Sequence, residues 1–151
     1  MATTTDPGIA IEQIRLLKSD VEMVNPDGKR EYSLCIIGLS RIEPPGGNTL
    51  DFHVAFDLMH QIENPVFKFT CEFIARYTRR DDSSMTWENF TSPLAFAHVI
   101  PYLREYVSNI TNRLPTSVVI LKPMNTYAMI ADYEQRKALA VKNTGADCGG
   151  D

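Results

Sequence analysis

Residues 49–60, "TLDFHVAFDLMH", decide the fold: Leu50, Phe52, Val54, Phe56 and Leu58 alternate with Asp51, His53, Ala55, Asp57 and Met59. Successive strand side chains point to opposite faces, so this period of two predicts a strand with one face in a core and one in solvent. Downstream of the turn residues Glu63-Asn64-Pro65, "VFKFTCEFIARYT" (66–78) repeats the pattern, with Phe67, Phe69, Cys71, Phe73, Ala75 and Tyr77 inward. Lys68, Thr70, Glu72 and Arg76 face outward, and Ile74 is the apolar exception. Upstream, "EYSLCIIGL" (31–39) sets Tyr32, Leu34 and Ile36 against Glu31, Ser33 and Cys35, and stops at the Pro/Gly cluster "EPPGGN" (43–48). Further upstream, Leu17, Val21 and Met23 share a face opposite Lys18, Asp20 and Glu22, and the segment ends at Asn25-Pro26-Asp27-Gly28. Asn, Pro, Asp and Gly are turn formers, so the first hairpin is expected to begin there. Four alternating segments punctuated by turns predict a four-stranded antiparallel meander.

The period then changes. In "TSPLAFAHVIPYLREYVSNITNR" (91–113) Ser92 stands as an N-cap before Pro93 at the first helical position. Val99, Tyr102, Leu103, Tyr106, Ile110 and Leu114 follow as a stripe at helical spacing. Pro101 either bends this helix or marks its true start. "LPTSVVILKP" (114–123) reads as a buried, irregular or extended crossover into a second helix, about 125–142, carrying Tyr127, Ala128, Ile130, Ala131 and Tyr133. The expected organisation is a flexible N-terminus over 1–10, one domain over 11–142 and a flexible tail over 143–151.

Size and charge narrow the function. A chain of 151 residues, 44% hydrophobic and 23% charged, can bury one sizeable core and folds as one unit. Its net charge of −4 and lack of a basic stripe disfavour nucleic acid as a partner. No apolar run approaches the roughly 20 residues of a membrane span, and "MATTTDPG" lacks the features of a signal peptide, so a cytoplasmic protein without membrane insertion is expected.

Motifs for bond chemistry are missing from the sequence. Cys35, Cys71 and Cys148 fit neither a zinc knuckle nor a redox pair, and the first two lie in apolar runs where a thiol acts as a small hydrophobe. Cys148, in a Gly-rich tail, is expected to be an exposed bystander. His53, His60 and His98 do not cluster with carboxylates or cysteines at ligand spacing. No phosphate loop, nucleophile elbow or HExxH occurs. The expectation is a protein without catalytic residues, metal or cofactor.

The outward strand positions carry Asp20, Glu22, Glu31, Asp51, Asp57 and Glu72 against Lys18, Lys68 and Arg76. Two readings stand for this acidic lean: an ordinary solvated sheet face, or a docking surface for a basic partner.

"IPYLREYVSNITNR" followed by "LKPMN", after strands of which the first reads "RLLKSDVEMVNP", resembles the SecB family of protein-export chaperones. Ile100, Pro101, Tyr102, Arg104 and Glu105 match that family's "FPYARE"-like helix core, and Leu121, Pro123 and Asn125 match its "L-x-P-V-N" element at unchanged spacing. Arg15, Asp20 and Pro26 match its first strand, and Phe69, Cys71 and Glu72 match an "F-L-C-E" stretch in its fourth. The likeness spans about residues 10–138.

The resemblance implies an α+β subunit, a four-stranded antiparallel sheet with two C-terminal helices, assembling as a dimer of dimers. It implies an ATP-independent holdase for unfolded polypeptides, handing preproteins to the export motor SecA. The homotetramer interface would include Tyr102, Tyr106 and Ile110 of the first helix. The client groove would lie between Val118, Val119 and Leu121 of the crossover, Leu34, Ile36 and Tyr77 of the strands, and Tyr127 and Ile130 of the last helix; ordinary core is the other reading of these positions. The SecA-docking face would include Asp20, Glu22, Thr70 and Glu72. Val24 and Thr70 stand where the family has an acidic residue and a leucine on that face. The alternative is a SecB-like chaperone dedicated to one partner, such as the antitoxin of a toxin–antitoxin module.

Overall fold

The computed structural model describes residues 7–43 and 47–146. Four strands, β1 (Ile9–Met23), β2 (Cys35–Ile42), β3 (Thr49–Asp57) and β4 (Phe67–Arg79), precede two helices, α1 (Ser92–Asn112) and α2 (Thr126–Ala146). The strands form one antiparallel sheet in the order β1-β4-β3-β2. The α+β class with a four-stranded antiparallel sheet and two C-terminal helices therefore holds. Ile9 and Ala10, expected in a flexible N-terminus, pair with Arg79 and Thr78, and α2 continues to Ala146. Residues 1–6 and the end of the tail, with Cys148, lie outside the described residues.

The turn at Asn25–Gly28 forms but makes no hairpin. Gly28 N–H donates to the Asn25 carbonyl at 2.9 Å, and Asp27 N–H donates to Asn25 Oδ1 at 3.0 Å. The turn then packs on the chain entering β4: Lys29 N–H donates to the Asn64 carbonyl and Val66 N–H to the Lys29 carbonyl, both at 2.9 Å. Gly28 is required by that approach, since a Cβ there would sit 2.6 Å from the Pro65 carbonyl carbon. The chain is thereby sent to the far edge, and β1 pairs with β4 instead of β2.

The inner face is built as the alternation predicts. Leu50, Phe52, Val54 and Phe56 of β3 and Phe67, Phe69, Cys71, Phe73, Ala75 and Tyr77 of β4 are all buried. Helix α1 covers them with Phe96, Val99, Leu103 and Val107, and the Phe96 ring lies 5.5 Å from that of Phe56. Burying such a side chain contributes about 1.5–3 kcal/mol, so this layer is the main source of stability. The cap of α1 is Thr91, one residue before the expected Ser92, and Pro93 falls within the first turn. Pro101 does not mark the start: the helix runs through it, on an exposed face where a missing helical bond is least costly.

The edge strands depart from the period-two reading at Leu17 and at Cys35. Between Leu16 and Lys18 the β1 register shifts, and Leu17, expected inward, is 50% exposed. Between Ile36 and Gly38 the β2 register shifts and brings Leu39 opposite Val54; Cys35, expected outward, precedes the shift, pairs with Asp57, and is buried with Asp132 and Arg136 of α2 among its charged neighbours. Helix α2 leans on this edge, where Arg136 donates through Nη2 to the Ile36 carbonyl at 2.8 Å.

Candidate functional site

The crossover between the helices is held by three hydrogen bonds, two to side chains of α1 and one to Tyr32 in the segment before β2. Val119 N–H donates to Thr111 Oγ1 at 2.9 Å, Arg104 Nε donates to the Leu121 carbonyl at 3.2 Å, and Lys122 N–H donates to Tyr32 Oη at 2.9 Å. Asn125 then accepts Ala128 N–H on its side-chain oxygen at 3.1 Å, satisfying a free donor at the start of α2. The sequence motifs "IPYLRE" and "LKPMN" are thus joined physically through Arg104 and Leu121.

Held this way, the crossover alternates. Val119 and Leu121 point into the core, while Val118 is 44% and Ile120 70% exposed. Beside it opens a cavity of about 230 Å³ lined by Tyr32, Leu34, Leu121, Lys122, Pro123, Met124 and Met129. Tyr127, on the first turn of α2, is 62% exposed. An open apolar trough with uncovered aliphatic and aromatic neighbours offers contact area and no reactive group.

The expected groove residues divide. Leu34 and Leu121 share the cavity, and Val118 and Tyr127 are exposed nearby in the chain. Ile36, Val119 and Ile130 are core side chains. Tyr77 does not belong to the groove: it is fully buried under α1, donates its hydroxyl to the Ala95 carbonyl at 2.8 Å, and lines a separate cavity of about 220 Å³ with Ile9, Met85, Phe90 and His98. Its position on an inward strand face specified burial but not which part of the core would cover it. Met124, Met129 and Pro123 were missed, although "LKPMN" contains two of them.

Asp20, Glu22, Thr70 and Glu72 do come together on the outer sheet face across the β1–β4 pair, with Asp20 opposite Thr70 and Glu22 opposite Lys68. An open depression of about 340 Å³ is lined by Asp20, Glu22, Lys68 and Thr70. Several carboxylates of this face have neighbours on it. Lys18 lies 3.5 Å from Asp20, His53 lies 3.8 Å from Glu72 and His60 lies 3.6 Å from Asp57. Arg76 makes a two-pronged contact with Asp51 at 2.8 and 3.0 Å, and this hydrogen bonding holds the Asp51 carboxyl below its ordinary range.

Of the three residues expected at an oligomer interface, Tyr102 is half exposed, but Tyr106 packs within the chain. Its ring meets Phe69 and Phe73 edge-on at 5.8 and 5.9 Å, and its hydroxyl donates to Ser19 Oγ at 2.5 Å. Ile110 likewise packs against the core. The three do not form one free stripe, because Tyr106 turns toward the sheet and Ile110 packs on the core.

Burial pushes the Cys71 thiol up to about 12, and it raises that of Cys35 as well, so both stay protonated at neutral pH. Among the described residues no group of three or more His, Cys, Asp or Glu side chains could hold a metal ion, and no helix is long and apolar enough to cross a membrane.

The fold has a known counterpart. The chain superposes with a TM-score of 0.64 on the Mycobacterium tuberculosis Rv1957 SecB-like chaperone in complex with a ChAD peptide from the Rv1956 HigA1 antitoxin. The match is 21% identical and covers 77% of this chain and 90% of that one. A Streptococcus agalactiae protein of unknown function aligns at 10% identity and a TM-score of 0.46, over 76% of this chain and 97% of that one. No protein-family model and no curated protein matches the sequence. The architecture is SecB-like.

Proposed function

We propose that this protein is an ATP-independent chaperone of the SecB-like kind, a holdase that binds unfolded polypeptide without catalysing a reaction. The observation that carries this reading is the open apolar cavity beside the crossover, flanked in the chain by exposed Val118, Ile120 and Tyr127. Such a surface binds extended apolar segments by area and tolerates varied side chains, helped by the flexibility of Met124 and Met129. The client groove comprises Tyr32, Leu34, Leu121, Pro123, Met124 and Met129, with Val118, Ile120 and Tyr127 at its margin. The decisive test is suppression of aggregation, without nucleotide, of several unrelated chemically denatured proteins. Protection of all of them is expected, and protection of none overturns the reading.

Dedication to one partner is the second reading, favoured by the antitoxin peptide held in complex by the Rv1957 chaperone. Protection of a single client, with the others aggregating as they do alone, would select it. Export coupling would use the face carrying Asp20, Glu22, Thr70 and Glu72 to dock SecA in the cytoplasm. A homotetramer, as a dimer of dimers, is supported by the exposed apolar side chains Ile11, Leu16 and Leu17 on edge strand β1 and Leu94 and Tyr102 on α1. Light scattering that gives a monomer at micromolar concentration would overturn the assembly.

A further inference from the structure

Two methionines, Met124 at the end of the crossover and Met129 in the first turns of α2, line the same open cavity with Tyr32, Leu34 and Leu121. Both are half-buried, and hence in reach of small solutes, whereas Met59 is buried in the core. A thioether makes the cavity apolar and adaptable; a sulfoxide at the same place is a strong acceptor on a stiffer, polar group. We infer that this pair makes client holding sensitive to oxidation: conversion of Met124 and Met129 to sulfoxides closes the cavity to apolar segments, and their reduction reopens it. The inference rests on the groove being the client site and adds a control to it.

The oxidant is a hydroperoxide. The thioether sulfur attacks its distal, proton-bearing oxygen, an S–O bond forms as the O–O bond breaks, and the proton on the transferred oxygen passes to the leaving oxygen, which departs as water or an alcohol. Sulfur loses two electrons and the peroxide gains them. A dithiol reverses the change: the sulfoxide oxygen leaves as water while two thiols become a disulfide. No cysteine of the described chain takes part, since Cys35 and Cys71 are buried and protonated.

Met85 supplies an internal reference, because it lines the separate cavity beneath the start of α1. The protein is titrated with hydrogen peroxide and desalted, and peptide mass mapping gives the oxidised fraction at each methionine. Binding of fluorescently labelled, permanently unfolded α-lactalbumin is then measured for every sample against its own untreated state. A buried polar group left without a partner is expensive, so affinity is expected to fall about fivefold or more. The fall should follow oxidation at Met124 and Met129, not at Met85, and methionine sulfoxide reductases of both stereospecificities should restore it. The double variant Met124→Leu, Met129→Leu, normalised to itself, should lose the response. Unchanged binding with both methionines oxidised overturns the inference, as does resistance of both to the oxidant or a loss that tracks Met85. Absence of binding before any treatment overturns the holdase reading instead, and the switch with it.

Discussion

The hydroxyl of Thr111 receives the backbone N–H of Val119 at 2.9 Å and donates to the Val107 carbonyl at 2.8 Å, so one buried side chain fastens the crossover to the last turn of α1. Thr111→Val keeps the shape but strands the Val119 N–H away from water. A stability loss of about 1–3 kcal/mol is expected from urea denaturation. Thr111→Ser, which keeps the hydroxyl and removes one methyl, should cost about 1 kcal/mol. No loss for Thr111→Val would show that the hydrogen bond contributes nothing.

The alternation of the crossover separates binding from stability. Leu121 is buried, and Leu121→Ala should cost about 2–5 kcal/mol in chemical denaturation. Ile120→Ala and Tyr127→Ala remove exposed atoms and should leave stability within about 0.5 kcal/mol of wild type while weakening client capture. If these two variants melt with Leu121→Ala, or bind clients as wild type does, the margin of the groove is misassigned.

The Arg76–Asp51 contact sets an acid limb. Hydrogen bonding by Arg76 favours the ionised carboxylate, so the folded pKa of Asp51 lies below its unfolded value. The stabilisation is complete above the unfolded pKa and is lost as pH falls through the folded one. Denaturation measured from pH 7 down to about 2 should show a shallower decline for Asp51→Asn than for wild type. Parallel curves would remove Asp51 from the acid response.

If the outer face docks SecA as proposed, the contact should be salt-sensitive. Titration of SecA against wild type and the double variant Asp20→Ala, Glu72→Ala should give weaker binding for the variant at low salt. The difference should shrink at high salt, where the Debye length falls to about 3 Å at 1 M. Client binding should not change. Equal affinities for both proteins at both salts would leave this face as solvated sheet.

Legibility in the sequence followed the covering layers. Strands β3 and β4 sit in the middle of the sheet with α1 on one face, and every inward residue from Leu50 to Phe56 and from Phe67 to Tyr77 was readable by alternation. The edge strands were not, because neither the register shift at Leu17 nor the α2 residues beside Cys35 can be read from local composition. Strand order was hidden for another reason: the turn at Asn25–Gly28 is chemically a hairpin turn, and only its packing on Asn64 and Pro65 sends the next strand elsewhere. The cavity beside the crossover lies where "LKPMN" stands in the sequence. Its membership was not legible, since the placement of Tyr77 beneath Ala95 and the hydrogen bond from Lys122 N–H to Tyr32 both depend on contacts distant in sequence.

The pairing of the first strand with the last has a consequence during synthesis. Residues 9–23 leave the ribosome before their hydrogen-bonding partner, residues 67–79, which is made after two further strands. Loop closure over that separation is entropically costly and slow compared with the local β2–β3 and β3–β4 hairpins. The nascent chain therefore carries β1 as an unpaired, Ile- and Leu-bearing segment until β4 has emerged. A protein read as a guardian of unfolded chains passes through the same exposed state as its clients, and its own yield should rise when elongation through residues 24–66 is fast.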